Sequence, residues 1–206
     1  ARRPTMTTAD TQDAVTPTDS RNGEVGRLCV QRLVRGHLRA TLYHADCLDV
    51  LEHLTGIDAV VTDPPYGIAD CWKGGFNAAN GWGKAGTEAE ARNEWDATAP
   101  DKTTFDLLRT LGDVQCFWGG NYFPLPVYRG WLIWSKPERG FTLSEAELAW
   151  TSRAMPMRVY DFRRSDTGRT HPTQKPVAVM AWAMEQCKVP EGATVLDPYM
   201  GSGTNG

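Results

Sequence analysis

Two short apolar runs end alike, and this constrains the chain more than anything else in it. Ala59 to Thr62 stops at Asp63-Pro64-Pro65-Tyr66, and Ala193 to Leu196 stops at Asp197-Pro198-Tyr199-Met200-Gly201-Ser202-Gly203-Thr204. A brief apolar run closed by proline reads as a buried strand, because proline has no N–H with which to extend a β-ladder. Each aspartate then stands at the carboxyl end of a strand. In open α/β sheets ligands lie outside those ends, so both sequences should face one crevice. Helical spacing in Cys47 to Leu54, in Phe105, Leu108 and Leu111, and in Val177 to Cys187 after Pro176 alternates with apolar runs at Val114 to Trp118 and Trp131 to Trp134. That alternation predicts an α/β fold built on a doubly wound, mostly parallel sheet. Leu28 to Tyr43 reads as short strands punctuated by Gly36, and Glu147 to Thr151 is expected to pair with Met157 to Phe162 as antiparallel strands.

Composition narrows the class. With 206 residues there is room for one α/β domain, and 41% hydrophobic residues exclude a disordered chain. The longest apolar stretch, Val177 to Met184, is far too short to span a membrane. Lys and Arg number 22 against 25 Asp and Glu, so any nucleic-acid contact must come from a local basic face and not from the sum. Five scattered cysteines without a Cys-x-x-Cys pair, and four histidines without ligand spacing, argue against a metal site. The cysteine usage, with no signal peptide in view, points to a reducing cytoplasm. Residues 1–24, rich in Thr, Asp and Pro, are expected to be a flexible arm, leaving 25–206 as the domain. Residues 67–101 hold six glycines with Trp72, Trp82 and Trp95 and read as a long loop. The chain starts at Ala1 and stops just after the glycine turn, so a fragment is expected.

The chemistry of Asp63 to Tyr66 can be argued from the residues. An aromatic amine is a poor nucleophile because its lone pair is delocalised into the ring. A catalyst must therefore accept its N–H protons, and the Asp63 carboxylate and the Pro64 carbonyl can do so. Pro65 stiffens the turn. Tyr66 offers a flat face to an extruded base, with stacking worth about 1–3 kcal/mol. The glycine turn at the second strand end lets backbone approach a ligand, since Cβ atoms are missing. Asp46 is placed to cap the helix that starts at Cys47.

Together with His171-Pro172-Thr173-Gln174-Lys175-Pro176, these blocks resemble the DNA amino-methyltransferases that use S-adenosylmethionine, in the permuted order that puts Asp-Pro-Pro-Tyr before the cofactor loop. The resemblance runs from about residue 41 to 206 and takes in Ala45-Asp46-Cys47-Leu48, Trp118-Gly119-Gly120-Asn121-Tyr122-Phe123 and Glu147-Leu148-Ala149-Trp150. Tyr199 stands where that family often has Phe, and Asn205 follows Thr204. The resemblance implies a Rossmann-like fold lacking its last strand and helices. It assigns Asp197, Tyr199, Gly201 and Gly203 to the methionine end and backbone of the cofactor. It sets Thr173 and Lys175 against the cofactor carboxylate and Asp46, with Cys47, near its adenine. Cys116 and Cys187 lack the Pro-Cys turn of covalent carbon-5 methylation and read as buried apolar residues.

For DNA, residues 151–175 carry six basic residues against two acidic ones, and Arg153, Arg158, Arg163, Arg164 and Arg169 are the candidate phosphate contacts. Residues 67–101 and 151–170 are the candidate DNA-contacting segments. The expected substrate is double-stranded DNA with a flipped base, and a restriction endonuclease is a conceivable partner. Methylation of adenine at N6 is the first expectation, because Asp and not Ser opens the Pro-Pro-Tyr block. The alternatives are cytosine at N4, RNA or a protein glutamine as substrate, and a non-catalytic nucleic-acid-binding remnant.

Overall fold

The computed structural model describes residues 29–35, 37–68, 96–139, 144–163 and 174–201. The expected arm at 1–24 and the loop tryptophans Trp72, Trp82 and Trp95 lie outside them. The chain divides into two units, residues 1–54 and residues 55–205, with Gly206 grouped with the first.

In the first unit, β1 (Cys29–Arg35) and β2 (Leu38–His44) form an antiparallel ribbon in which Val30 faces Tyr43 and Arg35 faces Leu38. Helix α1 (Cys47–Leu51) follows, and Asp46 caps it as the sequence implies, accepting a hydrogen bond from the Leu48 N–H at 2.9 Å. The helix is shorter than the Leu48, Leu51, Leu54 spacing predicts. His53 and Leu54 donate to carbonyls three residues back, so the last turn tightens and ends.

The second unit is built on six strands: β3 (Ala59–Thr62), β4 (Val114–Trp118), β5 (Trp131–Ser135), β6 (Ala146–Thr151), β7 (Arg158–Asp161) and β8 (Val195–Leu196). Their order in the sheet is β7-β5-β6-β4-β3-β8. β3 is parallel to β4 and β8, β5 is parallel to β7, and β6 is antiparallel to both of its neighbours. Every strand but β6 therefore runs the same way, which is the mostly parallel sheet expected of a Rossmann-like α/β methyltransferase fold.

One pairing differs from expectation. β6 and β7 are not neighbours, because β5 lies between them. β5 is the most apolar strand of this half, and flanking it on both sides satisfies its two rows of backbone groups. The Trp134 indole, donating to the Phe162 carbonyl at 2.8 Å, fastens β7 to β5.

Among the described residues two α-helices accompany the sheet. α2 (Lys102–Leu108) is capped by Asp101, whose carboxylate accepts from the Thr104 N–H and from the Thr103 and Thr104 hydroxyls, holding its carboxyl down to about 2. α3 (Val177–Cys187) begins after Pro176 and packs Val179, Met180, Ala183 and Cys187 into a core with Val114, Cys116 and Trp118 of β4. The alternate residue Phe117 points to the other face, where its ring meets Phe105 and Trp150. Cys116 and Cys187 are buried free thiols, as expected. No helix among the described residues is long and apolar enough to cross a membrane.

Candidate active site

The sheet topology gathers chemistry at one edge. Asp63 follows the carboxyl end of β3, Gly119 that of β4, Lys136 that of β5 and Asp197 that of β8. The reversed strand β6 starts at this edge and supplies Glu147, while Lys175 just precedes α3. The two aspartate turns are neighbours: the Thr62 hydroxyl, at the tip of β3, donates to Asp197 Oδ1 at 2.5 Å.

Asp63 sits in an array of alternating charge. The Lys175 ammonium meets Asp63 Oδ2 at 2.6 Å and Glu147 Oε2 at 3.0 Å. It also donates to the Tyr66 hydroxyl at 2.8 Å, which in turn donates to Asp63 Oδ1 at 2.7 Å. Glu147 Oε1 takes a second ammonium, that of Lys136, at 2.6 Å. The Lys175 side chain is 3% exposed, while the Asp63 and Glu147 side chains keep 28% and 23% of their surface. An isolated ammonium so deeply buried would shed its proton, but the two carboxylates overcome burial and raise its proton affinity above the ordinary lysine value. Burial raises the Asp63 carboxyl above its usual value, against the pull of Lys175 and with a further push from Glu147. Glu147 goes the other way: burial opposes its charge, but Lys175 and Lys136 hold it down to about 2. The Tyr66 phenol is raised by burial and by the negative charge of Asp63, so it is a donor at neutral pH.

The turn after β3 is held from a distance. Asp96 is buried, and its Oδ1 accepts the backbone N–H groups of Tyr66 at 2.5 Å and Gly67 at 3.1 Å. Tyr66 stacks on Tyr122, with ring centroids 5.0 Å apart, and meets the edge of Phe123. Gly119 adopts φ +72, and a Cβ there would stand 2.1 Å from the Tyr66 ring, so only glycine lets β4 end this close. One face of Tyr66 is thus already covered, and Tyr122, 46% exposed, carries the free aromatic surface. The Trp118 indole, buried 5.1 Å beneath the Lys175 ammonium, has no hydrogen-bond partner for its N–H among the described residues.

The other predicted residues fall as follows. Pro64 is buried and Pro65 half-buried in the turn. Asp197 Oδ1 also accepts the Tyr199 N–H at 3.1 Å, and Gly201, at φ +51, has among the described residues nothing closer to a notional Cβ than the Tyr199 carbonyl at 3.9 Å. That open glycine backbone on a strand tip fits a ligand approached by main chain. Asp46 and Cys47 belong to the first unit. Thr173, Gly203, Arg164 and Arg169 lie outside the described residues. Lys175 is brought to Asp63 and Glu147, where the resemblance implied a cofactor carboxylate. The basic stripe is divided by the topology. Arg153 follows the end of β6 and Arg158 begins β7, both at the opposite edge of the sheet, while Arg163 follows β7 at the edge of Asp63. Four strand spacings, about 19 Å, separate β7 from β3.

Lys136, Asp96 and Tyr122 carry roles that sequence reasoning did not assign, and Glu147 was legible only as part of a block. The fold and its edge define an α/β methyltransferase architecture. Residues 131–206 match the family model described as DNA methylase, which supports a DNA methyltransferase family. No curated protein matches the chain.

Proposed function

We propose that the chain methylates an exocyclic amine of a base in double-stranded DNA, with adenine N6 as the acceptor. The observation that carries the reading is the adjacency of β3 and β8. An accessible carboxylate and an open glycine turn occupy neighbouring strand tips joined by the Thr62–Asp197 hydrogen bond. S-adenosylmethionine, when bound, supplies an electrophilic methyl group; the residues of the second unit that would hold it are Asp197, Tyr199, Gly201, Gly203 and Thr173.

In this reading Asp63 accepts one N–H of the amine and the Pro64 carbonyl accepts the other, turning the nitrogen lone pair out of the ring. Asp63 then takes the proton that the alkylated nitrogen sheds. Burial favours that protonation, and Lys175 keeps the carboxylate charged beforehand. Tyr122, backed by Tyr66, is the stacking surface for a base swung out of the duplex. Asp96 fixes the turn so that these groups are preorganised, and orientation supplies much of the acceleration. Arg163, at this edge, suits a DNA phosphate.

The test is transfer of a tritiated methyl group from S-adenosylmethionine to unmethylated duplex DNA, followed by nucleoside analysis. Label in N6-methyladenine is expected. Label in N4-methylcytosine would replace the acceptor, and no labelled nucleoside would overturn the function.

A further inference from the structure

The chain's net charge is −3, so a surface that meets DNA phosphates has to be a place where positive charge is set apart. The stripe at 151–175 does not supply one, because strand direction divides its arginines between two edges of the sheet. The ribbon of the first unit does. Residues 29–44 carry Arg32, Arg35 and Arg39 and contain no Asp or Glu.

Strand register decides what that charge touches. Directly opposed residues of an antiparallel pair project from the same face. Arg32 is opposite Thr41, Val34 opposite Arg39 and Val30 opposite Tyr43, so these six side chains share one face. Arg32 and Arg39 are diagonal neighbours on it, about 7–8 Å apart. All of the six but Val30 are exposed, whereas Leu33, Ala40 and Leu42 of the other face are half-buried. The face with the arginines is therefore the outward one. Neither guanidinium joins an ion pair among the described residues, in contrast to Lys102 and Arg109 of α2, which share Asp106. An exposed arginine with no acidic neighbour keeps its field for an external anion. Thr41 and Tyr43 add two hydroxyl donors beside the two cations. A face that offers cations and hydroxyls, and no carboxylate, is complementary to a row of phosphates.

We propose that the outward face of the β1–β2 ribbon lies on the sugar-phosphate backbone of duplex DNA, with Arg32 and Arg39 on phosphates and the Thr41 and Tyr43 hydroxyls donating beside them. The inference rests on the reading of the chain as a DNA methyltransferase, since that reading selects DNA among phosphate-bearing polymers. Contacts of this kind fix position and carry no base sequence, so the ribbon sets affinity and leaves the choice of target to other residues.

The experiment is fluorescence anisotropy of the full chain with two labelled DNA duplexes of unrelated sequence, over a series of salt concentrations. Three proteins are compared: the wild type, Arg32→Gln with Arg39→Gln, and Lys102→Gln with Arg109→Gln. The last removes the same charge from a helix where Asp106 already answers it. All four positions are exposed, so urea melts of both variants should stay close to the wild type. The ribbon variant is expected to lose about tenfold in affinity for both duplexes. Its slope of log affinity against log salt should shrink by about 1.8, two phosphates at about 0.9 each, while the helix variant keeps the wild-type slope. An unchanged slope in the ribbon variant, or an equal loss in the helix variant, overturns the inference and leaves the proposed function to methyl transfer by the wild type. A loss confined to one duplex sequence, or ribbon-dependent binding of duplex RNA but not of duplex DNA, overturns it as well. Ribbon-dependent DNA binding by a wild type that transfers no methyl group upholds the inference and overturns the proposed function instead.

Discussion

The two edges of the same six-stranded sheet are tied off by different chemistry. At the amino edge, side chains serve backbone. Gln115 donates to the Leu111 and Gly112 carbonyls at 3.1 and 2.8 Å, Ser152 Oγ accepts the Gln115 N–H at 2.9 Å, and Asp58 accepts the Thr194 N–H at 2.7 Å. Around Gln115 such bonds satisfy backbone groups in a buried stretch, while the Asp58–Thr194 bond ties off a strand end at the surface. At the carboxyl edge Asp96 and Asp197 also accept backbone N–H groups, but there the side chains in addition pair with one another, and the groups are charged. Asp63, Lys175, Glu147 and Lys136 tie off no strand, and their desolvation is costly even when paired. A sheet that needed only stability would finish both edges in the first manner. The contrast marks the carboxyl edge as the place where charge is kept for chemistry.

If that contrast is right, changes at the carboxyl edge should cost activity more than stability, and changes at the amino edge the reverse. After Asp63 itself, the largest effect is expected at Lys175. Lys175→Met leaves a buried carboxylate without its partner, so the Asp63 carboxyl should rise further and kcat at neutral pH should fall by about 100-fold. Part of that loss should return as pH is raised, and a pH–rate profile with no upward displacement of its acid limb would erase the distinction between the edges. Tyr122→Ala should weaken capture of duplex DNA containing the target base by about tenfold, in line with the loss of one stacked ring, while leaving methyl-donor affinity unchanged by calorimetry.

Smaller effects come from stability. Ser152→Ala at the amino edge removes the acceptor for a buried N–H and should destabilise the fold by about 1 kcal/mol in urea melts, with turnover per folded molecule unchanged. Acid titration of stability sharpens the comparison further. Glu147 is depressed in the folded chain, so its contribution is fully present above its ordinary value of 4.5 and is lost as pH falls toward about 2. Glu147→Gln should flatten that part of the pH–stability curve, while Ser152→Ala should lower the curve evenly.

The strands that carry the two aspartates were readable because apolar runs closed by proline leave few options, and β4 and β5 appeared where alternation placed them. The pairing of β6 and β7 was misread because proximity in sequence favours hairpins, whereas β5 competes for both partners through its long apolar stretch. Asp63 and Tyr66 announced themselves by adjacency. Lys136 and Glu147 did not, since eleven positions separate them and only the β5–β6 register brings them to one face. Asp96 is more distant still, thirty positions beyond the Tyr66 N–H that it accepts, and no local pattern encodes that contact. The arginine stripe is contiguous in sequence but is split by strand direction, which a charge count cannot register.

The most direct test of the account is Asp63→Asn, which keeps the shape of the side chain and its hydrogen-bonding oxygen but removes the charge that accepts the amine proton. Methyl transfer to duplex DNA is expected to fall by about 1,000-fold or more while methyl-donor affinity, read by calorimetry, stays within about twofold of wild type. Turnover equal to that of the wild type would contradict it.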